Sequence, residues 1–136
     1  MELFDTTYLI DLVNNDPGAA KRARSIDSEG SVPALSVISV HEYLLGVHIR
    51  YHNDKRLLAS KLAQARQDLG SFEILPFTQD MTEVSSEIHS NLFTEGRVIG
   101  INDIYIAATA IYHNVKLTTR NASHFKRVNG LKIETY

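Results

Sequence analysis

Four polar residues that are widely separated along the chain have side chains that could do chemistry together. Asp5 follows the first apolar run, Glu42 lies in a mostly apolar segment, Asp103 precedes the run IYIAATAIY, and Asn121 follows VKLTT. Carboxylates packed together repel one another and raise one another's pKa values, so such a cluster favours a bound cation. Oxygen ligands without cysteine are typical of Mg²⁺ or Mn²⁺ sites, in which the metal activates water for phosphodiester hydrolysis.

The segments between these residues predict alternating strands and helices. Short apolar runs predict strands at MELFD, SVPAL, FEILPF, VKLTT and LKIETY, and helical spacing of apolar residues predicts helices between them. Four residues are predicted as helix N-caps: Asp16, Ser36, Thr78 and Asn102. Strands joined by helices predict an α/β fold with a mainly parallel sheet of four to five strands and helices on both faces.

A parallel sheet explains how distant residues can meet. Ligand sites in such sheets lie beyond the carboxyl ends of the strands. Asp5 and Asn121 follow predicted strands, whereas Glu42 and Asp103 lie in helices that begin near the same edge. We therefore expect all four side chains to project over one edge of the sheet.

Composition narrows the function. The chain has 136 residues, which predicts a single domain over residues 1–136, and it has no cysteine, which excludes disulfides and thiolate catalysis and favours a reducing cytoplasm. Its net charge of −2 excludes a generally basic protein that coats nucleic acid, so any nucleic acid would bind to local basic patches. The acidic start predicts no secretion signal, and the apolar run 104–112 is too short to span a membrane.

Structural roles remain open for several of these residues. Asp5 could cap the following helix, Asp103 could be an ordinary acid in a first helical turn, and Asn121 could be a turn residue. The segment HEYLLGVH lacks the second histidine of the zinc-protease motif, and His48 and His52 are expected to be exposed polar residues.

The sequence resembles the PIN domain family, and within it the VapC-type ribonuclease toxins. The resemblance rests on LFDTTYLIDLV, SVISVHEYLLGV, INDIYIAATAIYHNVKLTTRN and FKRVNGLKIETY, which occur in family order and cover nearly the whole chain. It implies a three-layer α/β/α fold and an Mg²⁺- or Mn²⁺-dependent endoribonuclease. It also implies an RNA substrate, a VapB-like antitoxin partner and a homodimer.

The resemblance implies roles for individual residues. Asp5, Glu42 and Asp103 fall on the metal-binding acids of the family, and Asn121 falls on its fourth catalytic position. Three further residues are expected to support the site: Thr6, Ser39 and Thr119. Four basic residues are predicted to contact RNA phosphates: Arg97, Arg120, Lys126 and Arg127.

The chain departs from the family pattern at three positions. Thr7 stands where many members have Asn, and His124 stands where many have an acid. Because Asn121 is neutral, one metal ion is as compatible with the sequence as two. The alternative hypothesis is a PIN-fold module that binds RNA or protein with little catalysis. A phosphoacceptor signalling domain fits poorly, because Asp5 lacks an acidic neighbour.

Overall fold

The computed structural model describes residues 1–136 as five strands and seven helices. The strands are β1 (Glu2–Phe4), β2 (Pro33–Ser36), β3 (Glu73–Leu75), β4 (Leu117–Thr118) and β5 (Ile133–Glu134). The helices are α1 (Thr6–Val13), α2 (Pro17–Glu29), α3 (Val37–Tyr51), α4 (Lys55–Leu69), α5 (Gln79–Thr94), α6 (Ile101–Tyr112) and α7 (Ala122–Phe125).

The strands form one parallel sheet in the order β3-β2-β1-β4-β5. In the centre, Leu3 of β1 pairs with Ala34 of β2 on one side and with Leu117 of β4 on the other. The chain extends the sheet from β1 to β3 in one direction, then continues from β4 to β5 in the opposite direction. The crevice at this reversal, beyond the carboxyl ends of β1 and β4, is where ligands bind in open parallel sheets.

Alternating residues of β1 divide the core into two layers, as expected for a strand that is covered on both faces. Leu3 belongs to a cluster with apolar residues of α5, α6 and α7. Phe4 belongs to a cluster with α1 and α2, against which Tyr43 of α3 and Leu69 of α4 also pack. The predicted three-layer α/β/α fold with a parallel sheet is confirmed.

Two of the predicted N-caps have the expected hydrogen bonds. The Asp16 carboxylate accepts from the backbone N–H of Ala19 at 3.0 Å, and the Ser36 hydroxyl accepts from that of Ile38 at 3.1 Å. Thr78 occupies the N-cap position of α5, but its side chain makes no capping hydrogen bond.

The predicted start of α6 was wrong. Its N-cap is Gly100, and Asn102 is the second residue of the helix rather than the cap. The Asn102 side-chain amide instead donates to Glu42, which a local capping pattern does not reveal. The short helix α7 was also not predicted.

None of the seven helices combines the length and the apolar character that crossing a bilayer requires.

Candidate active site

The candidate site lies at the reversal of strand order, where β1 and β4 end side by side. Asp5 directly follows β1, and Thr119 directly follows β4. The Thr119 hydroxyl donates to Oδ2 of Asp5 at 2.5 Å, across 114 positions in sequence. The residues that directly follow β1 and β4 are therefore in contact with each other.

Asp5 is a buried carboxylate that also begins α1. Its Oδ1 accepts a hydrogen bond from the backbone N–H of Tyr8 at 3.1 Å, and the side chain is an N-cap, one of the roles that the sequence left open. Burial raises the pKa of Asp5 to about 6, although the hydrogen bonds from Thr119 and Tyr8 lower it. The negative charges of Asp103 and Asp11 raise this pKa further, so Asp5 lies within the field of other acids.

Glu42 links three helices at this edge. The Thr6 hydroxyl, from the first residue of α1, donates to its Oε1 at 2.6 Å. The Asn102 amide, from the first turn of α6, donates to its Oε2 at 3.3 Å. Each oxygen thus has a partner on a different helix, which fixes the carboxylate of α3 in the space between α1 and α6.

Asp103 lies in the first turn of α6, where the helix dipole favours a negative charge. Burial raises its pKa, and the charge of Glu42 raises it further, whereas His124 lowers it. The Nδ1 atom of His124 lies 3.9 Å from Oδ2 of Asp103, and the Asn121 amide nitrogen lies 3.1 Å from the same Nδ1. Asn121 therefore reaches Asp103 through His124.

The chemistry of this donor set fits a hard divalent cation. The pKa values of Asp5 and Asp103 are raised partly by neighbouring carboxylates, and a cation would relieve this repulsion. No three Asp, Glu or His side chains are grouped closely enough to hold a metal ion in the structure. The oxygens of Asp5 and Glu42 instead accept from neighbouring hydroxyl and amide groups. Binding a cation would require these carboxylates to turn toward one another.

The three residues expected to support the site have different surroundings. Thr6 donates to Glu42, as described above. Thr119 is fully buried and both donates to Asp5 and accepts from the backbone N–H of Asn121 at 2.9 Å. Ser39 is fully buried one turn before Glu42, and its hydroxyl has no hydrogen-bond partner in the protein. A buried hydroxyl without a partner lowers the free energy of unfolding by about 1–3 kcal/mol, so stability does not explain why serine stands at this position.

The four basic residues predicted to contact phosphate fall into two groups. Arg97 and Lys126 are exposed, and Arg127 is half-buried with a weak hydrogen bond from its Nη1 to the carbonyl oxygen of Val98, at 3.4 Å. Arg120 is also exposed, but its guanidinium forms ion pairs with two aspartates.

The family model of the PIN domain matches residues 3–131 of the chain. The chain belongs to the PIN domain family. Ribonuclease VapC1 of Rickettsia felis is 35% identical over 101 residues, which cover 74% of each chain. Ribonuclease VapC1 of Methanocaldococcus jannaschii is 32% identical over 133 residues, which cover 96% of this chain and 85% of the relative.

Solved structures show the same PIN architecture. VapBC2 from Rickettsia felis, bound to a promoter DNA fragment, contains a chain that aligns with a TM-score of 0.82 at 28% identity, over 99% of this chain and 98% of that one. FitAcB from Neisseria gonorrhoeae aligns with a TM-score of 0.82 at 28% identity, over 98% and 96% of the two chains. The resemblance to the PIN domain family is thus confirmed.

Sequence reasoning missed one polar residue of this PIN-domain site. Asn102 contacts Glu42, and its position directly before Asp103 was the available signal. His124 was noted as a departure from the family pattern without a role, and the structure places it beside Asp103.

Proposed function

We propose that this PIN domain, residues 1–136, is a metal-dependent endoribonuclease of the VapC toxin type. The observation that carries the proposal is that Asp5, Glu42 and Asp103 lie at the reversal of strand order, where Asp103 raises the pKa of Asp5 and Glu42 raises the pKa of Asp103. Relatives named as ribonucleases support RNA as the substrate.

Asp5, Glu42 and Asp103 are the residues that would hold Mg²⁺ or Mn²⁺. A divalent cation held by these oxygens would supply positive charge and the acidity needed to activate water for phosphodiester hydrolysis. Thr6 and Asn102 orient Glu42, and Thr119 orients Asp5. His124 lies beside Asp103, and Asn121 contacts His124; we propose that these two side chains contact the RNA or the metal.

Phosphate groups of the RNA are proposed to contact three basic residues beside the site, of which two are exposed and Arg127 is half-buried. Arg97 precedes α6, and Lys126 and Arg127 follow α7. Such contacts position nucleic acid without reading its sequence. The salt dependence of RNA binding would measure their number, because each neutralised phosphate on a single strand contributes a slope of about −0.7.

The proposed function also includes an antitoxin partner. The structural neighbours in VapBC complexes support a VapB-like antitoxin for this chain. A groove of about 310 Å³ between α1, α3 and α4 is lined in part by Glu42 and by the exposed side chains of Ile10 and Val13, beside charged residues such as Arg50, and we propose that an antitoxin segment binds there. A homodimer and a cytoplasmic location, where the RNA substrate is present, complete the proposal.

The alternative is a PIN-fold module that binds RNA or protein with little catalysis, and the neutral Asn121 favours it. The two functions differ in an assay of purified protein with mixed RNA and Mn²⁺. We expect the wild type to cleave RNA. The cleavage rates of Asp103→Asn and Glu42→Gln should fall by at least about 100-fold, because removing one electrostatic stabiliser lowers kcat by about 10²–10³. Circular dichroism should show that both variants are folded.

Glu95→Gln is the matched control, because Glu95 is exposed after α5 and outside the site. It should cleave RNA like the wild type. Equal RNA loss in wild type and Asp103→Asn would indicate a contaminating nuclease and reject the assignment. In cells, growth arrest by Glu42→Gln equal to that of the wild type would also reject it.

A further inference from the structure

Arg120 is held by two aspartates at the edge of the candidate site. Its Nη1 and Nη2 donate to the two carboxylate oxygens of Asp16 at 3.1 and 2.6 Å. Nη1 also lies 3.2 Å from Oδ2 of Asp11. A two-point pairing between guanidinium and carboxylate fixes orientation as well as distance.

Tyr136 completes this cluster, which we name the Arg120 clamp (Asp11, Asp16, Arg120 and Tyr136). The Arg120 guanidinium carbon lies 4.6 Å from the centre of the Tyr136 ring. The Tyr136 hydroxyl donates to Asp11 at 2.7 Å. The clamp thus joins the segment after β4 to α1, to the start of α2 and to the segment after β5.

The backbone around the clamp is closely packed. A Cβ atom at Gly18 would lie 3.0 Å from Nη2 of Arg120, 3.2 Å from Oδ1 of Asp16 and 3.7 Å from the backbone of Tyr136. A side chain at this position would therefore require Arg120 or Asp16 to shift. Glycine at this position is therefore explained by the clamp.

The clamp already satisfies the charge of Arg120. The hydrogen bond from Arg120 lowers the pKa of Asp16 to about 2, and the same interaction raises the pKa of Arg120. An RNA phosphate would have to displace two carboxylates from the guanidinium. This competition makes Arg120 a poor phosphate contact compared with exposed Lys126.

The residues on either side of Arg120 belong to the candidate site. Thr119 donates to Asp5 at 2.5 Å, and the backbone N–H of Asn121 donates to the Thr119 hydroxyl at 2.9 Å. We propose that Arg120 is a positioning residue: the clamp fixes the Thr119–Asn121 segment so that the Thr119 hydroxyl orients the Asp5 carboxylate. This inference rests on the proposed function, and it replaces the prediction that Arg120 contacts RNA.

Asp16→Asn separates positioning from phosphate binding, because the two roles predict opposite effects. Asparagine can still cap α2, but it loses the negative charge and the second acceptor oxygen of the two-point pairing with the guanidinium. If Arg120 positions the segment, Asp16→Asn and Arg120→Gln should both lower kcat roughly 10-fold or more with little change in KM, since supporting residues affect activity by about 10–100-fold. If Arg120 contacts phosphate, Asp16→Asn should free it and lower KM, whereas Arg120→Gln should raise KM.

Arg120→Lys keeps the charge but loses the two-point geometry. The positioning role predicts that it behaves like Arg120→Gln, and a phosphate contact predicts that it behaves like the wild type. Arg24→Gln on the exposed face of α2 is the matched control and should leave kcat and KM unchanged.

Amide hydrogen exchange at Asn121 gives a readout that needs no activity. Its N–H is bonded to the Thr119 hydroxyl, so exchange should accelerate in Asp16→Asn and Arg120→Gln and not in Arg24→Gln. Normal RNA cleavage with unchanged exchange and kcat in both clamp variants would overturn the positioning role and leave the ribonuclease proposal intact. A different outcome is a wild type that cleaves no RNA while exchange at Asn121 is faster in both clamp variants than in the wild type. That result would reject the ribonuclease function and support the role of Arg120 in fixing the segment.

Discussion

Asp5 combines two properties that oppose each other at neutral pH. It is 4% exposed, and burial raises its pKa to about 6, yet two hydrogen bonds favour its ionised form. A carboxylate with these properties is unfavourable for folding when it is charged. Cation binding would therefore be coupled to stability at this residue.

Asp5→Asn should stabilise the protein above pH 6 but not below pH 4. Because the folded pKa of Asp5 is raised from 3.8 to about 6, its protonated form stabilises the fold, and that stability is lost as pH rises through 6. A shift of this size corresponds to roughly 2–3 kcal/mol of folding free energy. Asparagine is neutral at every pH, so the variant keeps this stabilisation at high pH. Urea unfolding at pH 4 and pH 8 measures the difference. An equal difference between variant and wild type at both pH values would contradict the raised pKa.

Thr6→Val should weaken Mn²⁺ binding while Thr7→Val should not. The Thr6 hydroxyl donates to Glu42 at 2.6 Å, whereas the adjacent Thr7 is exposed. Loss of such a supporting hydrogen bond lowers metal affinity by about 10–100-fold. Valine has the same shape as threonine in both variants, so isothermal titration compares only the hydroxyl groups. Equal affinities in the two variants would show that Thr6 does not orient a metal ligand.

At the scale of elements, α6 positions two site residues from one buried helix. Its buried residues, from Ile104 to Ala110, pack it against the sheet, while Asn102 and Asp103 stand in its first turn. The polar site residues come first in the helix, and the mainly apolar buried residues follow directly after them. The position of Asp103 therefore depends on packing behind it.

Ile104→Ala should destabilise the fold and weaken Mn²⁺ binding together. Ile104 is fully buried beside Asp103, and an Ile→Ala change in a core costs about 2–5 kcal/mol. Ile101→Ala in the same turn is the control, because Ile101 is 45% exposed and surface changes cost within about 0.5 kcal/mol. Thermal unfolding and metal titration of both variants test this. Equal destabilisation by the two changes would contradict the packing described here.

Helices and strands were predicted correctly where local sequence patterns are strong. Their bounds were misplaced where tertiary contacts determine them. The spacing of Ile104, Ala107, Ala108 and Ile111 predicted α6, but its start was misplaced because Asn102 bonds to another helix instead of capping its own. Strands β4 and β5 have only two residues each, so their bounds depend on pairing with β1 and with each other.

At the scale of the molecule, parallel topology predicted the edge of the sheet at which the candidate site residues would lie, because the rule concerns strand ends rather than exact partners. The clamp partners of Arg120 were not predictable. Asp16 lies 104 positions away, and no local pattern connects the N-cap of α2 with the segment after β4. Sequence thus predicted which residues gather at the edge, but not how their side chains pair.

Mn²⁺ should raise the melting temperature of the whole protein at pH 8, and it should not do so for Asp103→Asn. A ligand that binds only the folded state stabilises it by about 2.7 kcal/mol at 100 times its Kd, or roughly 8 °C for a domain of this size. The comparison uses NaCl at matched ionic strength. A shift of equal size in Asp103→Asn would place the bound cation elsewhere.

The central position of β1 has a consequence for synthesis on the ribosome. β1 is translated first, but one of its two neighbours is β4, which begins at Leu117. A nascent chain that has not yet reached Leu117 has an open edge along β1 and lacks Thr119 beside Asp5. Unfinished translation products that stop before Thr119 therefore lack the hydroxyl that bonds to Asp5 in the folded protein.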